Sequence, residues 1–236
     1  MAVLLESNAP HIYEKDFDKE AILFLEKYYP DALKQPMEVP ILDIARKKMG
    51  LRVVERRLSE DFSILGQMCF TNGLAEIYDS QNDEYREVKV RYGTIIIDPD
   101  TIVKRNEGCK NNTIAHECFH WHKHRDYYIA ASVIDKTKSS IRSPFENKTE
   151  SIKTAWTDED WMEWQARRIA PRILMPFDSF NIMVEHFIRE YTNNPAGHRK
   201  WYSLYSWVVN SLAKFFNVSK QSTEIRLDET GFCLRG

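Results

Sequence analysis

The sequence of 236 residues has few cysteines, glycines and prolines, and each shortage excludes a class of protein. The four cysteines include no Cys-x-x-Cys pair, which excludes a closely spaced structural zinc site and thioredoxin-like chemistry. We expect reduced, mostly buried thiols in a cytoplasmic protein. Eight glycines and nine prolines are too few for a fibrous or low-complexity chain, so we expect a folded globular protein.

The sequence also lacks an excess of one charge and any long apolar run. Lys and Arg number 33 and Asp and Glu 35, so the formal net charge is -2, and no basic field favours nucleic acid or an anionic membrane. The longest apolar stretches, at 94–98 and 128–134, are too short to span a bilayer. The first residues have no basic segment ahead of an apolar one, so we expect no secretory signal.

Hydrophobic periodicity predicts a β-rich region between two helical ones. The predicted strands lie at 51–55, 66–70, 73–79, 86–92 and 93–98. The predicted helices lie at 16–29, 40–50, 112–128, 159–174, 177–191, 198–216 and 219–228. The polar residues 135–158 are expected to be a flexible surface insertion. The order helix, sheet, helices indicates the α+β class.

An HExxH pattern that begins at His116 is the most informative motif. Residues four apart lie on one face of a helix, so His116 and His120 can bind one Zn²⁺ ion. Glu117 lies beside them and can take a proton from a water molecule that zinc activates, without being a ligand. Asn112 or Thr113 is the expected N-cap of this helix.

A catalytic zinc site needs a third protein ligand, for which the sequence offers several candidates. Asp126 has the spacing used in HExxHxxGxxH/D proteases, but the glycine that this turn requires is absent. On a straight helix His124 lies one turn beyond the pair and away from its metal. Glu163 is a carboxylate on a separate helix, on which Glu159 and Asp160 are competing candidates. We expect the remaining histidine of the cluster, at position 122, to face solvent.

Three segments in order carry a family resemblance. Residues 113–124 match T-x-A-H-E-x-x-H-x-x-x-H, and residues 163–176 match E-x-x-A followed by A-x-x-x-L-M-P. Residues 212–227 match L-A-x-x-F-x-V-S followed by R-L. Over about residues 38–230 the chain therefore resembles the ImmA/IrrE family of zinc metallopeptidases.

The resemblance implies a zincin-like fold, in which a small, twisted, mainly antiparallel sheet packs against the HExxH helix. It implies one Zn²⁺ per chain held by His116, His120 and Glu163, with Glu117 as the catalytic residue. Arg167 departs from the family pattern, which has asparagine there. The implied domains are an N-terminal helical extension at 1–35, a metallopeptidase core at 36–176 with an insertion at 125–158, and a C-terminal helical part at 177–236.

The resemblance also implies a function, because members cleave helix-turn-helix transcriptional repressors in mobile elements or stress responses. We expect a cytoplasmic zinc metallo-endopeptidase whose partner is such a repressor, with no membrane partner. An extended substrate is expected to add to an edge of the sheet near 93–98 and to present its carbonyl to zinc. Candidates for stabilising the oxyanion are Tyr127, Tyr128, His124 and His198.

Two competing interpretations remain open. Residues 211–227 superficially resemble a helix-turn-helix, but acidic residues offset the basic ones, so we expect no direct binding to nucleic acid. A zinc-dependent regulator that binds a repressor without cleaving it would have the same ligands and the same Glu117. The sequence does not predict the oligomeric state.

Overall fold

The computed structural model describes residues 9–99, 107–144, 156–193 and 203–232. The helices are α1 (Phe17–Tyr28), α2 (Ile41–Asp43), α3 (Glu107–Phe119), α4 (Arg125–Ile134), α5 (Asp158–Leu174), α6 (Phe177–Asn193), α7 (Leu204–Phe216) and α8 (Lys220–Glu229). The strands are β1 (Arg52–Glu55), β2 (Ile64–Cys69), β3 (Gly73–Asp79), β4 (Glu84–Val90), β5 (Thr94–Ile97) and β6 (Ser140–Pro144). The predicted α+β class is confirmed. In the ranges described, no helix has the length and apolar character needed to cross a membrane.

The strands form a four-stranded sheet in the order β1-β5-β2-β6 and a separate β3-β4 hairpin. In the larger sheet β1 and β5 run parallel, whereas β2 is antiparallel to both β5 and β6. Strand β5 is therefore paired on both sides. The expectation that a substrate adds to the sheet near 93–98 is wrong, because the backbone groups of this segment already bond to neighbouring strands. Among the strands that the structure describes, β1 and β6 are the edges of this sheet.

Strand β6 lies within the segment predicted to be a flexible insertion. Residues Lys136–Ser139 form a 3-10 helix, and β6 then pairs with β2 over Ile64 to Cys69. The polar composition concealed the strand, since four of its five residues are only half-buried and the buried one is Ser143. The prediction of a flexible loop is therefore wrong for 136–144, and 145–155 lie outside the described residues.

The HExxH helix begins earlier than predicted. Helix α3 includes Glu107, continues through a π-helical turn at His120–His124 and passes directly into α4. The expected N-caps are wrong, because Asn112 and Thr113 lie inside the helix. The Thr113 hydroxyl instead donates to the carbonyl of Cys109, four residues earlier, at 3.0 Å, as interior helical threonines commonly do.

Gly66 on β2 allows α3 to pack closely on the sheet. A Cβ atom at this position would lie 2.6 Å from Glu117 Oε1 and 2.7 Å from Thr113 Cγ2. Both contacts are shorter than van der Waals separation, so a larger residue would push the helix away from the sheet. The glycine thus fixes the depth at which Glu117 is buried.

The predicted helical extension, core and C-terminal part share one apolar core. Its buried members include Phe24 of α1, Ile114 of α3 and Leu212 of α7. Helix α1 also contacts the π-helical turn, where Lys123 donates to Glu20 at 2.8 Å. The domain boundaries proposed from the sequence remain a prediction, and residues on both sides of each boundary belong to the same apolar core.

Helices α7 and α8 form the pair that resembles a helix-turn-helix. Asn217 joins them in the left-handed conformation, with φ of 51°. Arg226 of α8 is buried, bonds Asp18 of α1, and donates to the Met175 carbonyl at 3.2 Å. This arginine stabilises the fold and is not part of an exposed basic face. Ile225 of α8 is 43% exposed.

Candidate metal centre

The three predicted metal ligands converge on one point between α3 and α5. His116 Nε2 lies 2.9 Å from His120 Nε2, and Glu163 Oε2 lies 3.3 Å and 3.2 Å from these two atoms. All three residues are buried. The helical spacing of four residues brings the imidazoles together, and Glu163 reaches them from α5, which packs against α3. This group can hold a metal ion.

The spacing of the three donor atoms, and the protonation states of Glu163 and His120, suit a tetrahedral metal ion. Zn–N and Zn–O bonds of about 2.0–2.2 Å place two tetrahedral ligand atoms about 3.3 Å apart, close to the observed distances. Burial opposes ionisation of Glu163, but His116 and His120 outweigh it and hold the pKa of this carboxyl well below its ordinary value. Burial lowers the pKa of His120 to about 4, so this imidazole is neutral and can be a ligand.

Glu117 lies beside the three ligands and is completely buried. Its Oε1 accepts a hydrogen bond from the Ser143 hydroxyl at 2.6 Å, whereas Oε2 has no hydrogen-bond partner among the described residues. Burial raises the pKa of Glu117 to about 7, although His116 and the Ser143 hydrogen bond oppose this shift. A carboxylate with a pKa near neutrality can both accept and return a proton. The unpartnered oxygen is an orphaned acceptor that a polar reactant would satisfy.

His124 contacts His120 on the side of the ring that does not face His116 and Glu163. Its Nδ1 lies 2.9 Å from His120 Nδ1, on the side of the ring opposite to the ligand nitrogen, and its Nε2 lies 3.0 Å from Gln165 Oε1. His124 is therefore a neighbour of a ligand, as the helical geometry predicted, and not a ligand. Burial holds its pKa well below the ordinary value.

The other candidates for the third ligand lie elsewhere. The Asp126 side chain is 88% exposed and pairs with Arg125 at 3.2 Å. Glu159 accepts a hydrogen bond from Tyr127 at 3.0 Å. Asp160 caps the first turn of α5 together with Thr157. None of the three belongs to the cluster of ligand atoms.

His122 is not the solvent-facing histidine that we expected. Its ring packs edge-on against Phe24 and Tyr28 of α1, and the Tyr28 hydroxyl lies 3.4 Å from its Nδ1. Burial lowers the pKa of His122 to about 4, with a further contribution from Lys27. The prediction is wrong because α1 covers this face of the HExxH helix.

Three of the four candidates for stabilising an oxyanion lie in the described part of the chain. Both ring nitrogens of His124 are already engaged, and the Tyr127 hydroxyl donates to Glu159. The buried Tyr128 hydroxyl has no hydrogen-bond partner in the described ranges, and the Tyr128 ring centroid lies 6.4 Å from that of His120. Of the three described candidates, Tyr128 is therefore the one whose hydroxyl is available to donate a hydrogen bond. His198 lies outside the described residues.

A cleft of about 510 Å³ opens beside His116. Its lining includes Ser143 and Pro144 of β6 and Ile225 of α8. Arg167, the departure from the family pattern, also lines it and donates to Glu163 Oε1 and to the Pro144 carbonyl, both at 3.3 Å. Arg167 thereby links the edge strand to a ligand carboxylate. The volume is typical of a site that takes a small molecule or a few residues of a chain.

Sequence reasoning missed three residues that shape this centre, namely Gly66, Ser143 and Gln165. A signal existed for Gln165, because it lies on the face of α5 that carries the buried residues Met162 and Ile169. A polar residue on an apolar helix face requires a buried partner. No comparable local signal marked Ser143 or Gly66, whose roles depend on strand register.

No family model and no curated protein matches this chain. A solved structure named Mycobacterium tuberculosis transcriptional regulator superposes on 92% of the chain with a TM-score of 0.46 and 15% sequence identity. The chain spans 47% of the length of that protein. Similarity at this level transfers neither a fold nor a function.

Proposed function

We propose that this chain is a zinc-dependent metallo-endopeptidase with a zincin-like fold, related to the ImmA/IrrE family. One observation carries the proposal: His116, His120 and Glu163 surround a single point, and Glu117 lies beside it with one carboxylate oxygen unpartnered. When bound there, Zn²⁺ would supply Lewis-acid activation of a peptide carbonyl and of the attacking water.

The residues of the chain supply the proton transfers and the positioning. Glu117 accepts a proton from the attacking water through Oε2 and passes it to the leaving amide nitrogen. Ser143 holds the other carboxylate oxygen, which keeps Oε2 directed at the reacting groups. The unpartnered Tyr128 hydroxyl is the proposed donor to the developing oxyanion.

The edge strand β6 is the proposed docking line for the substrate. It pairs with β2 on one side only among the described strands, and its residues Ser143 and Pro144 line the cleft beside His116. An extended peptide that adds to this edge would run past the metal centre and present its carbonyls to it. This position replaces the one near 93–98.

The substrate class comes from the family resemblance. We propose that it is a helix-turn-helix transcriptional repressor, which places the enzyme in the cytoplasm together with its target. The half-buried and buried thiols are compatible with a reducing compartment.

Cleavage of a repressor by purified protein tests this proposal. A helix-turn-helix repressor from the same genome, chosen first from any that is encoded beside this gene, is incubated with zinc-loaded wild type and with Glu117→Gln, and the products are analysed by gel and mass spectrometry. We expect wild type to cut at a defined bond and the variant to lose about 10⁴-fold in rate, near the upper limit for a general base. The variant should retain its zinc, because Glu117 is not a ligand.

Two results would contradict the proposal. Equal cleavage by both proteins would show that Glu117 is not the base. Zinc-dependent binding of the repressor by both proteins, with no cleavage by either, would favour the regulator that binds without proteolysis.

A further inference from the structure

A series of hydrogen bonds connects a metal ligand to the N-terminal segment of the chain. His120 Nδ1 lies 2.9 Å from His124 Nδ1, and His124 Nε2 lies 3.0 Å from Gln165 Oε1. Gln165 Nε2 then donates to the Pro10 carbonyl at 2.9 Å. The side chains of His120, His124 and Gln165 are completely buried. The series therefore runs through the interior, from the ring nitrogen of His120 that does not face His116 and Glu163.

The Pro10 carbonyl gives this series a direction, because a carbonyl oxygen only accepts hydrogen bonds. The amide nitrogen of Gln165 must face Pro10, so its Oε1 must face His124. His124 must consequently carry its proton on Nε2 in order to donate to that oxygen. Complete burial favours the neutral ring, whose other nitrogen, Nδ1, is then an acceptor.

The same argument assigns the proton of His120. Two facing Nδ1 atoms at 2.9 Å need one proton between them, and since His124 Nδ1 accepts, His120 Nδ1 must donate. The lone pair of His120 is then on Nε2, the nitrogen that faces His116 and Glu163. A reversed series would place the Gln165 oxygen against the Pro10 oxygen, where no proton is available.

We propose that His124 and Gln165 are positioning residues that hold His120 in the tautomer able to bind a metal through Nε2, with the Pro10 carbonyl as the anchor. The proposal rests on the metal centre of the proposed function and adds a requirement for groups that do not touch the metal. Hydrogen-bond partners of ligand histidines typically change metal affinity 10- to 100-fold when they are removed.

The proton positions can be measured on the wild-type protein. Full-length protein labelled with ¹⁵N at histidine is studied by long-range ¹H–¹⁵N NMR, metal-free and with one equivalent of Zn²⁺. We expect protonated Nε2 and unprotonated Nδ1 for His124 in both states, and protonated Nδ1 for His120 in both. A proton on His124 Nδ1, or on His120 Nε2 in the metal-free state, would overturn the assignment.

Zinc affinities of matched variants test the consequence for the metal. The probe is Zn²⁺ in competition with a chromophoric chelator, and folding is checked by circular dichroism. His124→Leu removes the group that accepts from His120, and Gln165→Met removes the link between His124 and the Pro10 carbonyl. We expect 10- to 100-fold weaker zinc binding in each variant. His124→Asn places an amide oxygen near the position of Nδ1, so its affinity should stay within about threefold of wild type.

His122→Asn is the control, because this histidine lies on the same π-helical turn and contacts α1, not a ligand. Its zinc affinity should match wild type. Wild-type affinity in His124→Leu, or no recovery in His124→Asn relative to the leucine variant, would overturn the proposal. The NMR measurement decides the proton assignment even if a variant does not fold.

The outcomes separate this proposal from the proposed function. Wild-type protein that binds no Zn²⁺ would refute the proposed function, whereas the metal-free NMR spectrum would still decide the tautomers. If wild type binds zinc and cleaves a repressor, but His124→Leu and Gln165→Met bind zinc as tightly as wild type, only the positioning role is refuted.

Discussion

The Ser143 hydroxyl lies 2.6 Å from Glu117 Oε1 and donates to it, which joins the edge strand β6 to the HExxH helix. Both residues are buried, and Gly66 on the adjacent strand leaves the space that Glu117 occupies. The proposed base is thus held by a strand on one side and by a close helix-sheet contact on the other. Two predictions follow from these contacts, and two from the ligands and the thiols.

Ser143→Ala should slow repressor cleavage about 10- to 100-fold, because a hydrogen bond to a charged group contributes about 1.5–3 kcal/mol. Zinc content should not change, since the hydroxyl contacts no ligand atom. The matched control is Ser140→Ala on the same strand, where the hydroxyl accepts from Gln67 at 2.9 Å and does not contact Glu117. Equal cleavage rates for the two variants would contradict a role for Ser143 in holding the base.

Gly66→Ala should destabilise the protein by about 1–3 kcal/mol, because its Cβ would overlap Glu117 and Thr113. The measurement is the free energy of unfolding in urea. Gly73→Ala is the control, since a Cβ there has no atom within 4 Å. If both variants unfold at the same urea concentration as wild type, the close packing of α3 on β2 is not present in solution.

Glu163→Gln should weaken zinc binding by more than about 100-fold, whereas Asp126→Asn should leave it unchanged. The reason is position: Glu163 belongs to the cluster of ligand atoms, and the Asp126 side chain is 88% exposed. Purified wild type should contain about one zinc per chain by elemental analysis. A loss confined to the Asp126 variant would move the third ligand to the end of the HExxH segment and refute the assignment of Glu163.

Cys69 and Cys118 should resist alkylation until the protein unfolds. Burial, reinforced by the nearby Glu117 carboxylate, raises the pKa of Cys69 to about 12 and raises that of Cys118 above its ordinary value. At pH 8 only about one in 10⁴ Cys69 side chains is a thiolate, and the thiolate is the reactive form. Peptide mass spectrometry after iodoacetamide treatment should find half-buried Cys109 labelled before Cys69 and Cys118. Labelling of Cys69 at the rate of Cys109 in native protein would contradict the buried environment.

Helical periodicity was enough to predict which side chains lie together when they belong to a single helix. The i, i+4 spacing of His116 and His120 is a property of helical geometry, so it needed no knowledge of the rest of the fold. Helix α5 followed from its apolar face, and Glu163 was chosen because of the family resemblance. The structure brings these three residues together within 4.8 Å.

Long-range pairing was beyond local reasoning. The mostly polar side chains of β6 predict a flexible loop, although the backbone of β6 pairs with β2 some 75 residues earlier. The prediction of a sheet edge near 93–98 is wrong because β5 lies between β1 and β2. In a sheet that contains a parallel pair, the order of the strands along the chain does not determine their order in space. The relation of His124 to Gln165 needed the packing of α3 against α5, which single-helix geometry does not contain.

The distance along the chain between the two halves of the metal centre has a consequence during synthesis. His116 and Glu163 are 47 residues apart, and a ribosome that adds about 5–20 residues per second needs about 2–9 s to cover that interval. During this time the nascent chain has two imidazoles and a carboxylate of the HExxH segment, but neither the third ligand nor, at first, Ser143. Newly made chains therefore pass through an obligatory interval without the complete set of donor atoms, which can come together only after Glu163 has been added.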